Sequence, residues 1–309
     1  MALDNRISLY KLEVFDLVVE LGSVSRAADH LFVSQPVVTA HIRSLEERIG
    51  ARLFYREGRQ LVMTEAGTVA HAWARDILTR TRELSRRLDG LSDGTRGAVV
   101  VGASMSTGSY LLPPILSRFR QERPLAEIKC YISDSEHAME GVEGGQNDFA
   151  VVILETGPGR EGLEAEHLRE EQFVVAAAPD FELPGEPISL ADLARLPMVE
   201  SPTGLVRRTL LDRQLEKLGI RKRNVVIELG HPEAMKAAAR RGLGVTLQFR
   251  SAVRDDVEAG RLRAVEIADA SLSVPVFLIS RKGKFLSAIQ RDLMDDIRRG
   301  VRGDAAAAA

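Results

Sequence analysis

The chain has 309 residues, 45% of them apolar and 28% charged, with 42 Lys/Arg against 44 Asp/Glu. This balance excludes a disordered chain and a molecule that grips nucleic acid through its overall charge. The length predicts two or three domains at roughly 100–200 residues each.

The single cysteine, Cys130, excludes an internal disulfide and fits a reducing, cytoplasmic setting. Its strand-like surroundings, EIKCYI, predict a core thiol. The opening MALDNRISLYKLEVF lacks the basic start and apolar core of a signal peptide, and no run reaches the ~18 apolar residues of a membrane span. The expectation is a protein with no membrane association.

Residues 1–66 read as helical patterns followed by a small hairpin. Leu9, Leu12, Phe15, Leu17, Val18 and Leu21 recur at helical spacing, and Gly22 stops that helix. Two short helices follow, nearly back to back. Ser25 is read as the N-cap of the first, with Ala27, Ala28 and Leu31 on its packing face. Ser34 is read as the N-cap of the second, with Pro36 tolerated in the first turn because its missing N–H is unpaired there anyway. Val38, Ile42 and Leu45 fall at i, i+4 and i+7 and face inward, so Gln35, Pro36, Thr39, Ala40 and Arg43 face outward. LFY and LVM around Arg56–Gln60 form the hairpin.

A tight two-helix corner presents its second helix as a rod that fits the major groove of DNA. Gln suits adenine, Arg suits guanine or phosphate, and the Thr methyl suits thymine. Residues 1–66 hold eight Lys/Arg against nine Asp/Glu, so any basic patch is local, around Arg43, Arg48, Arg52, Arg56 and Arg59. A protein-binding helical domain is the competing reading of the same pattern.

From residue 67 to about Leu91, the positions Ala70, Ala74, Ile77, Thr81, Leu84, Leu88 and Leu91 alternate four and three apart. Such a stripe is either a dimer seam or the underside of a helix lying on its own domain. A hinge through residue 96 follows. Strands then alternate with helices: AVVVGAS, LLPPILSRFRQER, EIKCYI, HAMEGVEGG, DFAVVIL, FVVAAA, Arg207–Leu218, NVVIEL, Glu233–Arg241, GVTLQF, SVPVFLIS and a last helix to about Val301. This grammar predicts open α/β sheets. Residues 97–303 are expected to form two lobes, 97–160 with 270–303 and 161–269, and residues 304–309 a frayed tail.

These features resemble the LysR-type transcriptional regulators. The likeness rests on Ala27, Ala28 and Leu31, on VSQPVVTAHIRSLEERIGARLFYRE and on LVMTEAG, and it continues through LLPPILSRFRQERP and GGQNDFAVV. It implies an N-terminal, mostly α winged helix-turn-helix, a long linker helix, and a C-terminal two-lobe α/β domain similar to periplasmic solute-binding proteins. It also implies a double-stranded DNA operator, partly palindromic and of T-x11-A form. Partners expected with it are a second copy bound through the linker helix, a homotetramer, and RNA polymerase. Ser25, Ser34, Gln35, Pro36, Thr39, His41 and Arg43 are then the DNA-facing set, with Arg56 and Arg59 in the wing. Ala40 departs from the larger polar residue common in relatives. His41 either compensates or simply faces solvent.

AVVVG runs into Ser104, Met105, Ser106 and Thr107 just before a helix. A hydroxyl-rich loop at a helix N-terminus, at the carboxyl end of a strand, is a natural anion site; otherwise the hydroxyls only cap the helix. The resemblance adds Ser133, Ser135, Thr203, His231, Thr246 and Gln248 to an effector cleft. It also marks a departure: Val206 stands where relatives often carry Arg, so a carboxylate effector needs Arg207 to reach the cleft, or His231 and Arg250 to replace it.

Gly157–Gly162 matches G-x-G-x-x-G but contains a proline and opens no clear helix, so it reads as a crossing loop. No catalytic base stands beside the hydroxyls, and no cofactor or metal is expected, only a small-molecule effector. The expected function is a ligand-responsive, DNA-binding regulator, with no enzymatic activity. A helical module fused to a small-molecule α/β enzyme and a solute-binding scaffold without DNA binding are the alternatives.

Overall fold

The computed structural model describes residues 7–58, 60–89, 97–155, 157 and 159–306. Two units form, one on residues 1–88 with 144–146 and one on residues 89–143 and 147–309.

The first unit runs α1 (Leu9–Leu21), α2 (Val24–His30), α3 (Gln35–Ile49), β1 (Phe54–Glu57), β2 (Gln60–Met63) and α4 (Glu65–Asp89). Its core joins Leu12, Phe15 and Val18 of α1, Ala27 and Ala28 of α2, and Val38, Ile42 and Leu45 of α3 to Leu53, Phe54, Ala70, Ala74 and Leu78. The inward triplet of α3 is therefore buried as its spacing predicts. Ser23, not Ser25, caps α2, accepting from the Arg26 N–H. The helix begins two residues earlier than a cap at Ser25 would place it, which puts Ser25 inside the first turn. Between α2 and α3, Phe32 takes a left-handed φ of 55° and is 96% exposed.

The start of α4 is fixed by the sequence TEAG. The Thr64 hydroxyl donates to the Arg52 carbonyl (2.6 Å) and accepts from the Gly67 N–H (2.9 Å), while the Thr64 N–H donates to the Leu53 carbonyl (2.9 Å). A Cβ at Gly67 would sit 2.2 Å from the Leu53 oxygen, so only glycine fits. Ala70 and Ala74, the start of the predicted seam, face this unit's own core with Leu78. The stripe belongs at that end to its own domain, because small side chains let α4 approach closely. Further along, Leu84 is 55% exposed. Leu91 and the hinge lie outside the described residues.

The second unit begins with β3 (Gly97–Ser104), a π-helical turn (Thr107–Leu111), α5 (Leu112–Glu122), β4 (Ala126–Ser133), α6 (Ser135–Glu143), β5 (Phe149–Ile153) and β6 (Leu163–Ala177). It continues with α7 (Leu190–Leu193), β7 (Met198–Glu200), α8 (Val206–Lys217), β8 (Val225–Glu228), α9 (Pro232–Arg240) and β9 (Thr246–Phe249). The last elements are α10 (Arg250–Glu258), β10 (Arg263–Val265), β11 (Ser273–Arg281) and α11 (Ala288–Ala306).

The strand order is β10-β6-β11-β5-β3-β4, with β9 also on β6, and β7 and β8 form a separate parallel pair. β3 lies parallel to β4 and β5, with Val101 opposite Cys130 and Phe149. Every residue of β5 is buried, as a continuous apolar run in a strand covered on both faces should be. Each such large side chain contributes about 1.5–3 kcal/mol. The sheet changes partners within one strand. β6 pairs with β11 up to Gln172 and with β9 and β10 from Phe173 onward. α11 continues to Ala306, three residues into the predicted tail. Cys130 is half-buried beside the core, and burial pushes its thiol pKa up.

Candidate DNA-reading helix and effector cleft

On α3, Gln35, Pro36, Thr39, Ala40, Arg43, Ser44 and Glu47 border one open groove. Ser25 joins this surface, its hydroxyl donating to Gln35 Oε1 (3.2 Å), which holds the Gln35 amide and leaves its N–H groups outward. The Thr39 hydroxyl donates back to the Gln35 carbonyl (3.0 Å), so its methyl or a lone pair is what remains for a base. Arg43 is exposed and forms no ion pair among the described residues. Ser34 stands at the N-cap position of α3, without a side-chain cap.

His41 lies elsewhere. Its ring meets Tyr10 of α1 edge-on at 5.1 Å, so it is neither beside Gln35 and Arg43 nor free in solvent. Arg56 is exposed on β1, and Arg59 lies outside the described residues. Glu46 ties the hairpin to α3, accepting from the Leu53 N–H (2.8 Å) and, more weakly, the Phe54 N–H (3.4 Å). Glu46 is not among the residues singled out from the sequence, because its partners are backbone N–H groups, which leave no side-chain signal.

In the second unit, a cavity of about 140 Å³ lies between the lobes. One lobe contributes Ser104, Met105 and Ser106 after β3, Ser133, Asp134 and Ser135 between β4 and α6, and Ile153 at the end of β5. The other contributes Ser201, Leu205, Val206 and Arg207 around the start of α8, and Gly230, Pro232 and Met235 around the start of α9. Four helical starts therefore converge: the π-turn, α6, α8 and α9. Leu205, at the α8 N-cap position, supplies no side-chain cap. The π-turn and α8 have no side-chain cap, and their N–H groups and dipoles favour a negative charge.

Five of the ten expected effector residues line the cavity: Ser104, Met105, Ser106, Ser133 and Ser135. Thr107 is fully buried, and its hydroxyl donates to the Val151 carbonyl (2.6 Å), locking the loop to β5. Thr203 is exposed in the loop before α8 and does not line the cavity. His231 is the N-cap of α9, its Nδ1 accepting from the Glu233 N–H (3.2 Å). Thr246 and Gln248 bond to each other (3.0 Å), and Gln248 Nε2 reaches Met235 Sδ (3.7 Å), so they stand behind Met235. Arg250 pairs with Glu266, away from the cavity.

Arg207 does line the cavity. It stacks near Phe173 and Phe249, at 5.3 and 5.6 Å from the ring centres, and Nη1 donates to Ser201 Oγ (3.0 Å). Burial pulls its pKa down to about 10. At Asp134 burial raises the carboxyl, but hydrogen bonds from the His137 N–H (2.9 Å) and ring Nδ1 (2.7 Å) outweigh it and hold it below the usual range. At the rim the Tyr110 hydroxyl donates to Glu233 Oε1 (2.7 Å), joining the π-turn to α9 across the lobes.

Among the described residues no helix is long and apolar enough to cross a membrane. Residues 9–68 match the model for the bacterial regulatory helix-turn-helix protein, lysR family, and residues 92–302 the model for the LysR substrate binding domain. The chain is 31% identical over 290 residues to the uncharacterized HTH-type transcriptional regulator YeiE of Escherichia coli, covering 94% of this chain and 96% of that one. It is 31% identical over 282 residues to the RuBisCO operon transcriptional regulator of Allochromatium vinosum, covering 91% and 92%. Among solved structures, full-length CbnR complexed with its target DNA aligns at TM-score 0.63 and 23% identity, covering 95% of this chain and 100% of that one. ArgP of Mycobacterium tuberculosis aligns at 0.64 and 22%, covering 95% and 97%. The chain belongs to the LysR family, and is a ligand-responsive, DNA-binding transcriptional regulator and not an enzyme.

Proposed function

We propose that α3 reads the major groove through Gln35, Thr39 and Arg43, with Ser25, Ser34 and Pro36 setting its approach and Arg56 and Arg59 of the hairpin touching phosphate. The supporting observation is the division of α3 into a buried face, Val38, Ile42 and Leu45, and an open face carrying Gln35, Thr39 and Arg43. Ala40 offers only apolar contact, so readout there is by shape or a thymine methyl. A small anionic metabolite binds between the lobes, favoured by the converging helix starts and their hydroxyls. It acts by preferring one lobe arrangement over another, which alters how two or four copies sit on a partly palindromic operator in the cytoplasm, within reach of RNA polymerase.

The test is selection of genomic fragments by the full chain at physiological salt, beside a Gln35→Ala/Arg43→Ala variant. Enrichment of a few palindromic sites by the wild type alone supports the reading. Equal enrichment by both proteins refutes the role given to α3.

A further inference from the structure

Resting on the cleft reading above, we infer that the effector is a small compound with one carboxylate and a short apolar body, and that Arg207 is its counter-ion.

Size is the first constraint. A cavity of about 140 Å³ is close to the engineered cavity of about 150 Å³ that holds benzene, so its enclosed part seats a ligand body of roughly six to ten non-hydrogen atoms. The walls are the second. Met105 and Ile153 on one lobe and Leu205, Val206 and Met235 on the other give the ligand body an apolar seat.

Charge is the third and decides the class. Arg207 is the one cationic side chain among the lining residues. Nη1 is engaged by Ser201 Oγ and Nη2 by the Leu247 carbonyl, both neutral, and Nε is sealed from solvent with no partner. No carboxylate among the described residues forms an ion pair with it. The carboxylate whose charge reaches it, Glu200, is already shared by Arg208 and Arg223, at 2.8 Å each. A desolvated guanidinium without an anion is costly, and a ligand carboxylate removes that cost. The depressed Arg207 pKa agrees with this.

The opposite lobe limits the ligand to one charge. Its only ionisable lining residue is Asp134, held as a carboxylate, which repels a second acidic group. His137 bonds both Asp134 oxygens, and that carboxylate pushes its ring toward the charged form, so an ammonium there meets a competing cation.

The experiment uses the full chain with ¹³C-labelled methionine methyls, since Met105 and Met235 both line the cavity. Four probes of matched skeleton are titrated: 3-methylbutanoate, 3-methylbutanamide, valine and methylsuccinate. The expected result is that 3-methylbutanoate shifts both methyls and binds about tenfold more tightly than the amide, a difference of roughly 1.4 kcal/mol. It also binds more tightly than valine or methylsuccinate. Arg207→Gln removes the preference for carboxylate over amide while amide binding persists. Equal binding of amide and carboxylate, or tighter binding of valine or methylsuccinate, overturns the inference and leaves the cleft reading standing. If no probe moves either methyl, the cleft reading falls with it. The wild-type comparison stands even if the variant fails to fold.

Discussion

Replacing Gly67 by alanine tests how the first unit fixes its DNA-reading helix to α4. The new Cβ would lie 2.2 Å from the Leu53 oxygen and 3.1 Å from its carbonyl carbon. Relief requires a backbone retreat of about 1 Å, given ordinary contacts above ~3.2 Å. That retreat takes the Leu53 carbonyl from the Thr64 N–H that it accepts at 2.9 Å. Overpacking of this kind costs about 1–3 kcal/mol and the lost hydrogen bond about 1 more. For a unit of this size each kcal/mol lowers the midpoint by about 4–8 °C, so the expected fall is roughly 10–25 °C. The sequence contains one tryptophan, Trp73, and it packs against the core of this unit. Its fluorescence during heating of the full chain therefore reports this unit's unfolding. A Trp73 transition within about 2 °C of wild type refutes the reasoning.

Phe32→Asn should raise the same Trp73 midpoint, because Asn tolerates the left-handed backbone at 55° that costs phenylalanine about 1 kcal/mol; a lower midpoint counts against that account. Tyr110→Phe removes the bridge to Glu233, which keeps Lys236 as a partner at 2.7 Å. The loss is about 1 kcal/mol, read as roughly fivefold faster amide exchange at the start of α9; unchanged exchange refutes the bridge. Asp256 is 3% exposed and gathers Lys236, Arg240 and Arg261 at 2.9, 2.7 and 2.8 Å. Burial raises its carboxyl, but these three cations outweigh that and hold it at about 2. A carboxyl depressed in the fold contributes stability above its unfolded value of about 3.9, lost as pH falls towards 2. Asp256→Asn should cost about 3 kcal/mol at neutral pH and flatten the stability profile between pH ~4 and ~2. An unchanged acid limb sinks that assignment.

The N-terminal elements were legible because their signals are local. Val38, Ile42 and Leu45 repeat at helical spacing, Gly22 ends a helix, and TEAG marks a capped start. β6 was half hidden. LEAEHLREEQ is dense in charge and stands outside the strand FVVAAA expected from the sequence, yet it is part of the same strand, and its charges have specific partners. Arg169 bonds to Glu171, and Glu166 pairs with Arg298 and Arg302 of α11. Those partners lie about 130 residues away, beyond any window. In the cleft, the hydroxyl loop after β3 announced itself by its place between strand and helix. Thr246 and Gln248 were added by the resemblance alone; they share one face of β9, where Gln248 meets Met235, a contact between distant segments that no local pattern announces. The question of Arg207 turned on helical phase: residues 205–207 form the first turn of α8, and neighbouring positions there both reach the cavity.

The 15-residue strand β6 has a mechanical consequence. Two bodies joined by slack tethers can swing through large angles at little cost. Here one ribbon is welded into both, bonded to β11 along its first ten residues and to β9 and β10 along its last five. Rotation of one body against the other must twist that ribbon like a torsion bar, straining the ladder near Gln172 and Phe173. An effector that acts as proposed, by turning one lobe against the other, would work against this bar, so its stroke would be short and stiff.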